Sequence, residues 1–147
     1  MSEMTIQDAM HGHVEKIVLV LRDGLPLSTT VNVACCLSVG ITAYQSNLAG
    51  HHLIDAAGLK SLASSHVPIV ALKGNDEVFE RLIKTIKDSN EGLISVFPAY
   101  ARDMHNPEQY WQRHQSESHQ GEQLLGIALI GAKKWLNKLT GNLPLLR

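Results

Sequence analysis

The sequence is short of cysteine, of aromatic residues, of excess charge of either sign and of long apolar runs, and each shortage excludes something. Its two cysteines, Cys35 and Cys36, are adjacent. Neighbouring cysteines rarely bridge each other, and this spacing fits no zinc or redox motif. Their apolar surroundings predict two buried free thiols, as in a reducing cytosol. The net charge is −1 at pH 7, without the basic excess of a protein that grips nucleic acid by its phosphates. The longest apolar stretch, Val33 to Ala43, is broken by Ser38 and Thr42 and falls short of the ~20 residues that span a bilayer. The start, MSEMTIQDAMHGHVEK, has neither the basic nor the apolar region of a signal peptide. A cytoplasmic protein with no membrane partner is the expectation.

Motifs of metal and nucleophile chemistry are missing too. There is no HExxH, no paired Cys/His spacing and no G-x-S-x-G elbow. Of the histidines, His11 and His13 fall in a polar start and His51 and His52 are neighbours. His105, His114 and His119 have spacings that do not stack them on one helix face. No metal and no cofactor are expected.

What is present is globular: 44% hydrophobic and 18% charged residues, enough for a real core. Residues 1–13 are expected to be a flexible tail and 14–147 a single α/β domain. Four apolar runs read as strands: KIVLVL (16–21), VPIVALK (67–73), LISVFP (93–98) and QLLGIALIG (123–131). Ser28 or Thr29 can cap a helix reaching about Gln45, so apolar all round that more than one face should be covered. Asn75 caps a second helix, with Val78, Phe79, Leu82, Ile83 and Ile86 as its apolar stripe. Asn106-Pro107-Glu108 starts a third, and 132–142 is a fourth, ended by Gly141. Between helix and strand, 46–66 reads as a loop with at most one short strand near Leu53-Ile54. The tail LPLLR must pack somewhere to cover its leucines. The order predicts a mixed sheet of about four strands with helices on both faces.

The most suggestive stretch is LRDGLPLSTTVNVACCLSVG (21–40), where a strand gives way to a helix. Open α/β sheets place ligands beyond the carboxyl ends of strands, where helix starts offer unpartnered amides. Arg22 could hold an anion, with Asp23 beside it, Ser28 and Thr29 supplying hydroxyls and amides, and Asn32 and His66 orienting the ligand. The plainer reading is a capped helix and an Arg22–Asp23 structural pair. Ser64 or Ser65 with His66 and Asp55 could be drawn as a triad, although nothing else marks one. Tyr110, Trp111 and Arg113 form an aromatic-basic cluster that could stack a base, but their spacing is that of a helix packed on the surface. Lys133, Lys134 and Lys138 read as a solvated helix face.

The segments KIVLVLRDGLPLSTTVNVACCLSVG (16–40), SHVPIVALKG (65–74) and LLGIALIGAKKWLNKLTGNLPLL (124–146) resemble the bacterial family of proteins of unknown function numbered 2000. Its R-D-x-L, N-V-A and S-H-x-P elements occur in order. The family in turn resembles the archaeal and eukaryotic type of peptidyl-tRNA hydrolase, through KIVLVLRDGL and LNKLTGNLPLL. The resemblance implies a single-domain sandwich of that hydrolase's fold, and a homodimer. It also implies a Lys-containing loop, a Q-x-x-H helix and an Asp after the third strand. Here those places hold Ser28-Thr29-Thr30-Val31, then Cys35 and Ser38, then Ala99. The segment 99–121 replaces a short Gly-rich loop, and on the shared fold Arg102, His105 and Trp111 would wall or cover the site.

The expectation is therefore a cytoplasmic protein binding a small anionic or polar ligand at the end of the first strand. Two rivals stand beside it. One is a hydrolase of peptidyl-tRNA or a related acyl ester with a rearranged site, His66 moving the proton and Asp103 replacing the missing acid. The other is a non-catalytic homodimeric interaction protein. The near-neutral charge disfavours tRNA.

Overall fold

A computed structural model describes residues 14–119 and 123–147. The expected tail, with His11 and His13, lies outside the described residues. The fold is α/β, with a mixed four-stranded sheet and helices on both faces. Its strands are β1 (Lys16–Arg22), β4 (Ile69–Gly74), β5 (Gly92–Pro98) and β6 (Leu124–Gly131), in the order β4-β1-β6-β5. β1 pairs parallel with β4 and antiparallel with β6, and β5 pairs antiparallel with β6. β1 and β6 are interior strands covered on both faces, which is why they are apolar without alternation.

Alternation along β1 splits the core in two. Ile17, Leu19 and Leu21 pack with Val33, Leu37 and Ile41 of α1 (Leu27–Tyr44). Val18 and Val20 point the other way, against Phe79, Leu82, Ile83 and Ile86 of α2 (Asp76–Lys87) and Leu136 of α4 (Lys133–Thr140). Near the end of β5 the ladder slips: Phe97 faces Gly126, but Pro98 faces Leu124. The extra residue, Leu125, turns to the α1 side while Leu124 turns to the α2 side, as a β-bulge allows.

Two helix starts are as the sequence reads. The Asn75 side chain accepts a hydrogen bond from Val78 N at 3.0 Å, and that of Asn106 accepts from Glu108 N at 3.0 Å and Gln109 N at 3.1 Å, opening α3 (Pro107–Ser116). α1 differs. Its cap is Pro26, whose carbonyl accepts from Thr30 N at 3.0 Å, so Ser28 and Thr29 lie inside the first turn and cap nothing. Extended Pro26 sets this entry two residues earlier than the hydroxyls suggest.

The covering of α1 is also corrected. Only Thr30, Val33, Leu37 and Ile41 are buried, and Val31 and Val39 are exposed. Cys35 and Cys36 are free but exposed, because a helix on a single sheet buries one stripe. α1, with mean hydropathy 1.4, is long and apolar enough by length and composition to cross a membrane. Its buried stripe serves the sheet instead.

The 46–66 segment holds more structure than one strand. A 3-10 turn at Ser46–Leu48 leads to a hairpin of β2 (Leu53–Ile54) and β3 (Lys60–Ser61). Its turn is held by the Asp55 carboxylate, which accepts from Ala57 N at 2.8 Å and Leu59 N at 2.9 Å. The C-terminal segment runs along the edge of β4, with Lys73 N donating to Pro144 O at 2.9 Å and Leu146 N to Ala71 O at 3.0 Å. That contact blunts the sheet edge and gives the terminal leucines a place to pack, although Leu145 stays half exposed. Gly141 caps α4 as expected, in a right-handed conformation.

Candidate functional site

β1, β4 and β5 run in one direction, so their carboxyl ends share one edge of the sheet, where α1 and α2 begin. The strand–helix junction at 22–32 lies at this edge. The residues expected to act together there are nevertheless dispersed.

Arg22 follows Val20 onto the α2 face of the sheet. Its Nε donates to Leu124 O at 2.7 Å, its guanidinium pairs with the Asp76 carboxylate, and it sits 5.5 Å from the centre of the Phe79 ring. The structural pair is therefore Arg22–Asp76, and Asp23 is exposed. Ser28, Thr29 and Asn32 belong to α1, on the opposite face.

His66 is displaced along the other axis. It precedes β4, and Ile17 pairs with Ile69 while Arg22 pairs with Gly74. Five residues of strand, ~17 Å at ~3.3 Å per residue, separate those ends, and His66 lies beyond the far one. It is exposed, and its backbone N–H donates to Leu48 O at 3.0 Å. Asp103 is exposed in the 3-10 turn Ala99–Asp103 that follows β5, at the opposite end of the sheet from His66. The two do not form a site together. The triad drawn from Asp55, Ser65 and His66 is not assembled either: Asp55 holds its own turn, and Ser65 Oγ donates to Val67 O at 2.8 Å.

The structure instead offers a cleft of about 480 Å³ between α1 and β5, on the α1 face. α1 contributes Asn32, Cys36 and Leu37, from turns just past the junction. β5 contributes Ser95, Val96 and Phe97. Ser95 pairs with Ala128, which packs on the α1 side, and its small side chain leaves room there. The outer wall is Ala101 and Arg102 of the 3-10 turn, Met104 and His105 after it, and Tyr110 of α3.

That wall is fixed by its own packing. Tyr110 lies 6.1 Å from the Tyr100 ring and 5.8 Å from that of His114, and the Arg113 guanidinium sits 4.5 Å from the centre of Tyr100. Arg113 Nε also donates to Glu117 at 2.9 Å. The aromatic-basic cluster thus holds α3 to the turn, the packing its spacing suggests. Trp111 is 60% exposed and lies off the cleft.

The electrostatics of the cleft are one-sided. No Asp or Glu is among its lining residues. Arg102 and His105 are its basic groups, and among the described residues Arg102 has no hydrogen-bond or ion-pair partner. Burial raises the pKa of Tyr110 above its ordinary value, so its phenol remains a donor at neutral pH. Cys36 Sγ approaches Asn32 Oδ1 at 3.9 Å. Among the described residues no three His, Cys, Asp or Glu side chains converge as metal ligands would.

Of the sequence candidates, then, Asn32, Arg102 and His105 are brought together, while Arg22, Ser28, Thr29, His66 and Asp103 are not part of the lining. Tyr110, read from the sequence as part of a packing cluster, joins Asn32, Arg102 and His105 in the lining, whereas Ser95 and Phe97 lie in an apolar stretch that carries no site signal of its own.

Comparison with known proteins adds family and fold. The family described as "Protein of unknown function (DUF2000)" matches residues 15–147. A solved structure of a protein of unknown function, Atu0240 from Agrobacterium tumefaciens strain C58, superposes with a TM-score of 0.82 at 23% identity, covering 90% of this chain and 97% of that one. No curated protein matches.

Proposed function

This chain belongs to the DUF2000 family of proteins of unknown function, and from that premise we propose that it binds a small anionic ligand in the cleft between α1 and β5. The observation that carries this reading is Arg102, a cation with no partner among the described residues, on the wall of a cleft without acidic groups. A guanidinium presents paired donors that match a carboxylate or phosphate, and no carboxylate of the lining competes for them. Leu37, Phe97 and Met104 give the ligand an apolar bed, and Asn32, Ser95 and Tyr110 give it polar contacts. The volume falls within the ~300–1,000 Å³ of small-molecule sites. The ligand that fits is a small molecule with one anionic group on a body of mixed polar and apolar character.

Ester hydrolysis is the weaker reading. It requires a proton-transfer group within reach of the reacting bond. His66 is remote from the cleft and Asp103 is absent from its lining, which leaves His105 as the one imidazole on its wall. A lone arginine is also too little charge to hold a tRNA.

A thermal-shift series with benzoate, hexanoate and phenyl phosphate tests the proposal. At least one should raise the melting temperature of the wild type, and Arg102→Gln should remove that rise. A rise retained in Arg102→Gln would contradict it.

A further inference from the structure

The two edges of the sheet differ. The C-terminal segment covers β4, whereas β5 is the other outer strand and no described residue pairs with its outer side. Its sequence, GLISVFP, has no charged residue to repel an added strand, and only Pro98 and the bulge guard its end.

The register decides which groups that edge presents. Ile17 N donates to Pro68 O, so Ile17, Leu19 and Leu21 aim their backbone groups at β4, and Val18 and Val20 aim theirs at β6. Val18 and Val20 pair with Leu129 and Ile127, which leaves Gly126, Ala128 and Ile130 to bond β5. Their partners are Phe97, Ser95 and Leu93. The N–H and C=O of Ile94 and Val96 therefore point away from the sheet. Among the described residues no hydrogen-bond partner meets them.

This edge opens into the cleft between α1 and β5. Ser95, Val96 and Phe97 are consecutive in the lining, although consecutive side chains of a strand point to opposite faces. The Phe97 side chain packs with the α1-side core, and that of Val96 with the α2-side core. A lining that includes both reaches around the rim of the strand, where the Val96 N–H and C=O lie. The cleft thus combines a cation without a partner, an apolar bed and an unpaired strand rim.

We propose that the ligand of this cleft is the free C-terminus of an extended peptide. The inference rests on the anion site at Arg102 and names its ligand class. Arg102 takes the terminal carboxylate, and the peptide backbone pairs with Val96 as a short added strand. The last side chain is apolar, because Leu37, Phe97 and Met104 receive it. A simple carboxylate would satisfy Arg102 and leave the Val96 groups to water, whereas an extended chain end meets both. An internal stretch of chain, GLISVFP of a second copy included, brings no terminal carboxylate to Arg102. The volume of about 480 Å³ suits a few residues rather than a long strand.

Calorimetric titration of the full chain tests this with three probes: N-acetyl-alanyl-alanyl-leucine, its C-terminal amide and hexanoate. The acid peptide should bind at least tenfold more tightly than either of the others. Val96→Pro supplies a second arm, since proline is tolerated on an edge strand where the lost N–H faces outward. It should weaken the acid peptide at least tenfold and leave hexanoate unchanged. If Val96→Pro loses its far-ultraviolet circular dichroism, the acid peptide N-methylated at its amides replaces it and must show the same loss on the wild type. Equal affinity for acid peptide and hexanoate overturns this inference and leaves the anion site standing. An amide that binds as tightly as the acid, or a peptide indifferent to both Val96→Pro and N-methylation, also overturns it. Failure of both peptide and hexanoate to bind overturns the anion site as well.

Discussion

Arg22 and Asp76 form an ion pair that ties the end of β1 to the first turn of α2, on the face of the sheet away from α1. The same guanidinium holds Leu124 O at 2.7 Å, beside the bulge at Leu125. The side chain whose chemistry best suits an anion is occupied in joining three elements. The Arg22 side chain is 17% exposed and that of Asp76 67%, so the two ends of the pair differ in consequence. Arg22→Ala leaves a carbonyl short of a charge-assisted donor and should cost about 2 kcal/mol. Asp76→Asn, at the exposed end, should cost less than about 1 kcal/mol. Urea unfolding of the two variants checks the order.

Arg102→Gln should do the reverse. Its guanidinium supports nothing among the described residues, so stability should stay within about 0.5 kcal/mol. Affinity for a small carboxylate should fall at least tenfold, or about 1.4 kcal/mol. Chemical unfolding and calorimetric titration of the same preparation separate the two effects.

Tyr110 gives the cleft wall a pH dependence. Its pKa is raised by burial, so the folded state holds the phenolic proton to higher pH than the unfolded chain does. The stability this confers is present below the ordinary value near 10 and is lost as pH rises through the raised folded value. Unfolding free energy should therefore decline above about pH 10 more steeply in the wild type than in Tyr110→Phe. Parallel slopes in the two proteins would contradict the burial of this phenol.

Gly92 starts β5 under the ring of Trp135. A Cβ there would lie 2.2 Å from Trp135 Cζ3 and 2.5 Å from Ile130 O, and a strand carbonyl cannot retreat. Gly92→Ala should destabilise the protein by about 1–3 kcal/mol, the cost of overpacking. Gly40→Ala, on the exposed side of α1 with open space around it, should be neutral or stabilising. Thermal unfolding of the pair tests the packing between sheet and α4.

A peptidyl-tRNA hydrolysis assay at low salt, against an authentic hydrolase, should give no turnover above buffer. Turnover lost in His105→Ala would show that the cleft performs ester chemistry after all.

Much of the fold is local and could be read along the chain. KIVLVL, the Asn75 and Asn106 caps and the Phe79–Ile86 stripe each carry their own signal, and all recur in the structure. The candidate site is not local. Whether Arg22 faces α1 or α2 depends on the parity of β1 and on Asp76, far along the chain. His66 looked close to Arg22 because it precedes the strand that pairs with β1, but a parallel pairing puts the start of one strand at the far end from the finish of the other. The exposure of Cys35 and Cys36 was masked because the helix is apolar on its uncovered side too. Arg102 and His105 were reachable only through the resemblance that set 99–121 beside the site, and it took the folded β5 to bring Ser95 and Phe97 to Asn32.

The most direct test of the account is a calorimetric titration of wild type, Arg102→Gln and Arg22→Gln with whichever of benzoate, hexanoate or phenyl phosphate gives the largest thermal shift. The account predicts saturable binding to the wild type, binding kept by folded Arg22→Gln, and loss in Arg102→Gln. Binding that survives in Arg102→Gln and disappears in a folded Arg22→Gln would return the site to the end of β1 and contradict the account.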